Sequence, residues 1–260
     1  MDHPLTGPVL ITGTDTGVGK TIVTAAIAAC ATASGLKVAV VKPAQTGAGE
    51  RWREPPGVRS VPEYGDIPDE EVVRRLAAPA TTRTIAEYPD PLAPLAAARV
   101  AQLPPLDLYT VVDEVKRIAA GHDLVLVEGA GGLLVPMGPR IAEIPEGGVW
   151  TAGDLAVSLS APAVVVARAG LGTLNHTALT LEALERRGVT GMVVLGAWPA
   201  VPELVHLTNL DDLPGELHGL LPEGAGAMEP GVFRRSAPGW LTETLYGSCD
   251  DPRALAEDDY

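Results

Sequence analysis

The sequence predicts an α/β fold: one domain built on a doubly wound, mostly parallel sheet flanked by helices. Three observations carry this. Short valine-rich runs recur at 9–11, 38–41, 124–127, 163–166 and 192–195 with helical segments between them, the pattern of strands buried on both faces. A glycine-rich loop follows the first run and opens directly into an alanine-rich helix. No polar linker divides the 260 residues, so one large domain is expected rather than two small ones.

The loop comes first along the chain. Residues 13–21 read Gly-Thr-Asp-Thr-Gly-Val-Gly-Lys-Thr between strand and helix. Glycines let a backbone curl so that successive N–H groups point at phosphate oxygens, and the positive end of the next helix adds to the same place. Lys20 is expected to neutralise β/γ-phosphate charge and the Thr21 hydroxyl to ligate magnesium. Thr16, Gly17, Val18 and Gly19 complete the phosphate contacts. The loop is a variant, because Thr14 stands where the usual G-x-x-x-x-G-K-[ST] pattern has glycine and Gly13 precedes it.

The helix over 20–34 closes at Gly35, a C-terminal cap, and the second strand follows. That strand ends in Lys42-Pro43-Ala44-Gln45-Thr46-Gly47. A lysine at the carboxyl end of a strand expected beside the one feeding the phosphate loop would place a second cation near the γ-phosphate, and Pro43 and Gly47 are expected to set a turn presenting Thr46. Residues 47–68 are proline-rich, charged and without period, and read as a functional loop or flap. In the helix that follows, Asp69, Val73 and Leu76 fall at i, i+4 and i+7, so Asp69 heads an inward-facing stripe. Asp69 is the third candidate oxygen ligand, with Asp66 as its rival.

A helix over 107–120 leads to the strand ending Val127-Glu128-Gly129-Ala130-Gly131-Gly132. An acid emerging after four apolar residues brings a carboxylate to magnesium, and the glycines admit a ligand closely. A short helix over 154–160 and the strand at 163–166 precede Gly170-Leu171-Gly172-Thr173-Leu174-Asn175-His176-Thr177, which opens a helix over 174–187 closed by Gly188. Free N–H groups at such a start suit a substrate carboxylate. His176 reads as structural. The domain is expected over 1–246, with 247–260 an acidic, frayed tail.

Composition narrows the function. The net charge of −14 offers no basic footprint for nucleic acid or an anionic membrane. Cys30 and Cys249 supply neither a disulfide framework nor a metal knuckle. With no apolar run of roughly 18 residues and no signal-peptide pattern, a cytoplasmic location is expected.

Taken together, the ordered blocks resemble the dethiobiotin synthetase family. They are Thr12-Gly13-Thr14-Asp15-Thr16 with Val18-Gly19-Lys20-Thr21, Lys42-Pro43 with Thr46-Gly47, Tyr88-Pro89 with Pro91 and Pro94, 127–132, and 172–176. Residues 173–177 and Gly196-Ala197-Trp198-Pro199 are similar to actinobacterial-type members. The resemblance implies a P-loop fold and a homodimeric enzyme that takes 7,8-diaminopelargonic acid, CO2 or bicarbonate, and ATP with Mg²⁺. It implies Lys42, Lys20 and Thr46 as catalytic residues, and Thr21, Asp69 and Glu128 as the metal set. Thr46, Gly131 and the 172–175 helix start (Gly172, Thr173, Leu174, Asn175) are implied to bind substrate, the helix start taking its carboxylate across the dimer interface. Trp198, Pro199, Pro222, Glu223 and Gly224 are expected around the base.

Three departures qualify it. Gly17 stands where many members carry glutamate, Gly170 where some carry lysine, and Trp198-Pro199 where some relatives place a base-reading asparagine. Adenine selectivity therefore does not carry over, and CTP or another nucleotide is admissible. An amide ligase of the same loop class and a nucleotide-switch protein are the alternatives. The first usually needs a glutamine amidotransferase partner. The second carries an extra early lysine that the segment Gly13-Thr14-Asp15 lacks.

Overall fold

The computed structural model describes residues 4–47, 67–141 and 148–256. Its elements run β1 (Gly7–Gly13), α1 (Lys20–Ala33), β2 (Val38–Thr46), α2 (Asp69–Ala77), β3 (Thr81–Tyr88), α3 (Pro94–Ala101), α4 (Leu108–Ala119) and β4 (Leu124–Gly132). There follow a small antiparallel pair, β5 (Gly138–Pro139) and β6 (Val149–Trp150), then α5 (Ala152–Leu159), β7 (Ala163–Ala167), α6 (Thr173–Glu185), β8 (Gly191–Trp198), α7 (Leu204–Asp211), β9 (Leu217–Pro222) and α8 (Pro230–Ser236). Seven strands form one parallel sheet in the order β3-β2-β4-β1-β7-β8-β9.

The five valine-rich runs are its five inner strands. The two edges are β3 and β9, and neither advertises itself: β3 reads Thr-Thr-Arg-Thr-Ile-Ala-Glu-Tyr and is half-buried, while β9 carries a histidine, a glycine and a terminal proline. An edge strand has one neighbour and needs no continuous apolar run.

Alternation along each inner strand sorts its side chains onto two faces. Val9, Ile11, Val38, Val40, Leu124 and Leu126 pack against α1, α2 and α8. Ala39, Val41, Val125 and Val127 meet α3, α4 and α5 on the other face. Helix α1 buries every residue from Val23 to Ala31, which explains why its small apolar side chains show no polar stripe. Asp107 caps α4 by accepting the Thr110 N–H, and Thr151 with Asp154 forms a capping box that starts α5.

Several expectations are corrected. Strand β2 is not beside β1, because β4 lies between them and pairs with both. Pro43 does not open a turn: it lies within β2, which keeps pairing with β3 as far as Thr46↔Tyr88 but with β4 only to Val41↔Val127. Proline is tolerated there because one neighbouring strand has already departed. Residues 247–256 are tied down rather than frayed, since the Cys249 N–H donates to Leu241 O, the Ser248 N–H to Pro238 O, and Ala256 is buried. Asp66 and residues 48–66 lie outside the described residues.

The phosphate loop is seated on β8. A Cβ on Gly196 would stand 2.0 Å from the Val18 carbonyl oxygen, and one on Gly19, at φ 96°, would stand 2.7 Å from that of Gly196. Gly196→Ala is therefore expected to destabilise the protein by about 1–3 kcal/mol through backbone displacement, read from urea denaturation, and to weaken nucleotide binding in parallel.

Candidate functional site

The site forms where the sheet parts. Beyond Val41 and Val127, strands β2 and β4 no longer pair, and the next residue on each is Lys42 and Glu128. Both are almost fully buried, yet they face each other: Lys42 Nζ donates to Glu128 Oε1 at 2.8 Å and to the Gly129 carbonyl at 3.2 Å. Asp69 at the start of α2 approaches the same ammonium at 2.6 Å. Burial alone would push the Lys42 ammonium toward neutrality. Glu128 and Asp69 more than reverse this and hold its pKa above the ordinary lysine value.

The phosphate loop contributes the other half. Gly13 is glycine because a Cβ there would meet Val18 Cγ2 at 2.8 Å and the Asp15 carbonyl at 3.0 Å, where the loop folds back on itself. That is the physical content of the displaced glycine before Thr14. Lys20 Nζ donates to the Asp15 carbonyl at 2.9 Å. Burial, reinforced by the charge of Lys42, pushes the Lys20 pKa down to about 8, and phosphate oxygens beside the ammonium would raise it again. Thr21 Oγ1 donates to Glu128 Oε1 at 2.8 Å. Asp15 ties the loop's outer edge: it accepts the Thr16 N–H at 2.7 Å and Arg168 NH2 at 2.6 Å.

The glycine run of β4 lies against this loop. Gly132 pairs with Gly13, and a Cβ on Gly131, at φ 69°, would come within 3.6 Å of Thr16 Oγ1. Thr46 ends β2, and Gly47 is held by its N–H to the Asp90 carbonyl at 3.1 Å. At the ends of β8 and β9, Trp198 pairs with Pro222 and its carbonyl accepts the Glu223 N–H at 2.7 Å. This brings Trp198, Pro199, Pro222, Glu223 and Gly224 beside one another. The Trp198 ring is buried edge-on to His206, with centroids 6.1 Å apart, so backbone groups rather than that side chain are what a base would meet.

Helix α6 starts after β7, with Gly172 at φ 93° as its N-cap. Among the described residues no hydrogen bond or ion pair joins Gly172, Leu174 or Asn175 to Lys42, Asp69 or Glu128. Leu171, Asn175, His176 and Leu179 are exposed.

A metal fits the donor set. The Thr21 hydroxyl and the Glu128 and Asp69 carboxylates are hard oxygens, and all three converge on the Lys42–Glu128 contact. Among the described residues no group of three His, Cys, Asp or Glu side chains forms a metal cluster; the third oxygen in this donor set is a hydroxyl.

Sequence reasoning missed Gln45, Glu70, Thr82, Thr84 and Arg168. The Gln45 side chain accepts the Asp69 N–H, and Glu70 accepts from Thr82 and Thr84 of β3. The alternate spacing of Thr82 and Thr84 was the one available signal, and it reads as a strand only once β3 is recognised.

The chain matches the family model described as an AAA domain over residues 8–214. It is 49% identical over 247 residues to the ATP-dependent dethiobiotin synthetase of Streptomyces avermitilis, covering 93% of this chain and 94% of that protein. The counterpart from Streptomyces coelicolor is 47% identical, covering 94% and 95%, and that from Rhodococcus jostii is 47% identical, covering 90% and 94%. The chain belongs to the dethiobiotin synthetase family. Within a dethiobiotin synthetase framework, the blocks at 12–21, 42–47, 127–132 and 172–176 occupy strand ends and helix starts along one rim of the sheet, where open α/β sheets bind their ligands.

Glu128 is the keystone of the ion cluster. Glu128→Ala should destabilise the unliganded protein by about 3 kcal/mol by leaving a buried ammonium short of its shielded partner. The paired change Lys42→Met with Glu128→Gln should recover most of that loss in urea denaturation.

Proposed function

We propose that this chain is a cytoplasmic ATP-dependent dethiobiotin synthetase, closing the ureido ring of dethiobiotin from 7,8-diaminopelargonic acid and CO2. Membership of the family supports the reaction; in the structure, the observation that carries it is Lys42, a buried second cation close enough to Lys20 of the phosphate loop for their charges to interact. No helix among the described residues is long and apolar enough to cross a membrane.

The chemistry has three steps. One amine of the substrate adds to CO2, giving a carbamate and releasing a proton. The γ-phosphoryl group of the nucleotide passes to a carbamate oxygen, giving a carbamic-phosphoric anhydride and nucleoside diphosphate. The second amine attacks the anhydride carbonyl, phosphate leaves, and the ring closes. The middle step needs positioning and charge neutralisation more than covalent catalysis. Lys20 and the amides of Thr16, Gly17, Val18 and Gly19 hold the β/γ-phosphates, while Lys42 serves the oxygen shared between carbamate and phosphoryl group. Thr46 at the end of β2 donates to the carbamate, and Gly131 admits the diamine next to Thr16.

Mg²⁺, when bound, neutralises phosphate charge; Thr21, Asp69 and Glu128 would hold it. Gly17 offers the substrate amine no side chain. Backbone groups around Trp198, Pro199 and 222–224 frame the base, and this arrangement supports acceptance of CTP or another nucleotide alongside ATP.

The homodimer is supported by α6. Its buried residues are Thr173, Thr177 and Leu184, leaving Leu171 and Leu179 at 84% and 55% exposure beside its N-terminus. A partner covering this face would receive the substrate carboxylate at the amides of 172–175. Such a dimer would have its sites completed across the interface.

Purified protein is expected to form nucleoside diphosphate only when both the diamine and bicarbonate are present; turnover independent of the diamine would defeat this reading. Lys42→Ala should lower kcat by at least about a hundredfold, as for loss of a charge-stabilising group at the reacting centre, with nucleotide affinity little changed and the far-UV circular dichroism retained. Leu171→Glu with Leu179→Glu should convert the dimer to monomer in sedimentation velocity and abolish turnover while leaving nucleotide binding in place.

A further inference from the structure

Helix α2 begins without a side-chain cap: its N-cap is Pro68, and no cap hydrogen bond is made there. Its first turn nevertheless has to hold Asp69 2.6 Å from Lys42. Two contacts outside the ion cluster do this. Gln45, on the same strand as Lys42, accepts the Asp69 N–H at 3.2 Å. Glu70, the next residue, accepts from Thr84 Oγ1 at 2.6 Å and Thr82 Oγ1 at 2.9 Å, with Arg74 on the same carboxylate.

The register makes this specific. Thr82 and Thr84 are two apart on β3 and so share one face, and they pair with Val40 and Lys42 on β2. Successive helical residues are rotated by about 100°. Pinning Glu70 to β3 therefore sets the rotation of the first turn, and with it the direction in which Asp69 points. Glu70 is largely shielded, at 22% side-chain exposure, so its bonds are not those of a solvated surface acid.

We propose that Glu70 is a positioning residue, clamped by Thr82 and Thr84, that aims Asp69 at the metal and at Lys42. This rests on Asp69 being a metal ligand, and the test separates the two ideas. The double variant Thr82→Val with Thr84→Val removes the clamp while leaving every charge in place. Mn²⁺ binding to each protein, saturated with a non-hydrolysable ATP analogue, is measured by electron paramagnetic resonance, alongside Mg²⁺ activation kinetics.

The double variant should bind Mn²⁺ about tenfold more weakly, as losses of supporting contacts around metal ligands do. The Mg²⁺ concentration for half-activation should rise in step. At saturating Mg²⁺ kcat should return to near the parent value, and metal-free nucleotide affinity should not change, a split that general loosening of the fold would not produce. Glu70→Gln, which keeps the shape and weakens the acceptor, should shift Mn²⁺ affinity in the same direction and carries the test if the double variant does not fold. Parental Mn²⁺ affinity in the clamp variants, with Asp69→Asn clearly weakened, overturns the positioning role. Parental affinity in Asp69→Asn itself removes Asp69 from the ligand set, and the inference with it.

Discussion

The site depends on a lysine ammonium kept charged inside the protein. Lys42 is almost fully buried, and a buried cation is tolerated only when it is paired and its protons are bonded. Glu128, Asp69 and the Gly129 carbonyl provide this, and they come from two separate elements, β4 and α2. Glu128 and Gly129 follow the last β2–β4 pair on β4, and Asp69 opens a helix more than twenty residues after Lys42 in sequence. The parting of two central strands creates the space, and the charges that fill it are those a phosphoryl transfer to carbamate would use.

The phosphate loop has its own constraint, which is steric. Three glycines answer three different close approaches: Gly13 to the loop's own return, Gly19 to β8, and Gly196 to the Val18 carbonyl. The loop is therefore braced on a strand two places away from the one that feeds it, with β7 between. Because Trp198 lies two residues beyond Gly196 on β8, the strand that braces the loop also carries the residues proposed to frame the base. Lys20, its pKa lowered by burial and by Lys42, is a cation whose charge phosphate oxygens would stabilise.

The fold was largely legible because its five inner strands are continuous apolar runs, and burial on both faces demands such runs. The edges were not, since Thr81–Tyr88 and Leu217–Pro222 satisfy only one neighbour each and mix polar residues with apolar ones. The site residues Lys20, Thr21, Lys42 and Glu128 were legible because each follows directly on a strand or loop pattern. Gln45 and Glu70 were not, because neither makes a motif and both act through a hydrogen bond to or from an element distant in sequence.

The sequence by itself determined the kind of chemistry: a phosphate loop, a second lysine and an acid at strand ends, in an order shared with dethiobiotin synthetases. Local pattern suffices there, since strand, glycine turn and helix start are each set by neighbouring residues. The tertiary structure alone decided that Pro43 stays in the strand, that β2 and β4 separate after Val41 and Val127, and that Asp69 is turned toward Lys42. Those outcomes depend on which strands pair and where pairing stops, and pairing is a contact between residues far apart in the chain.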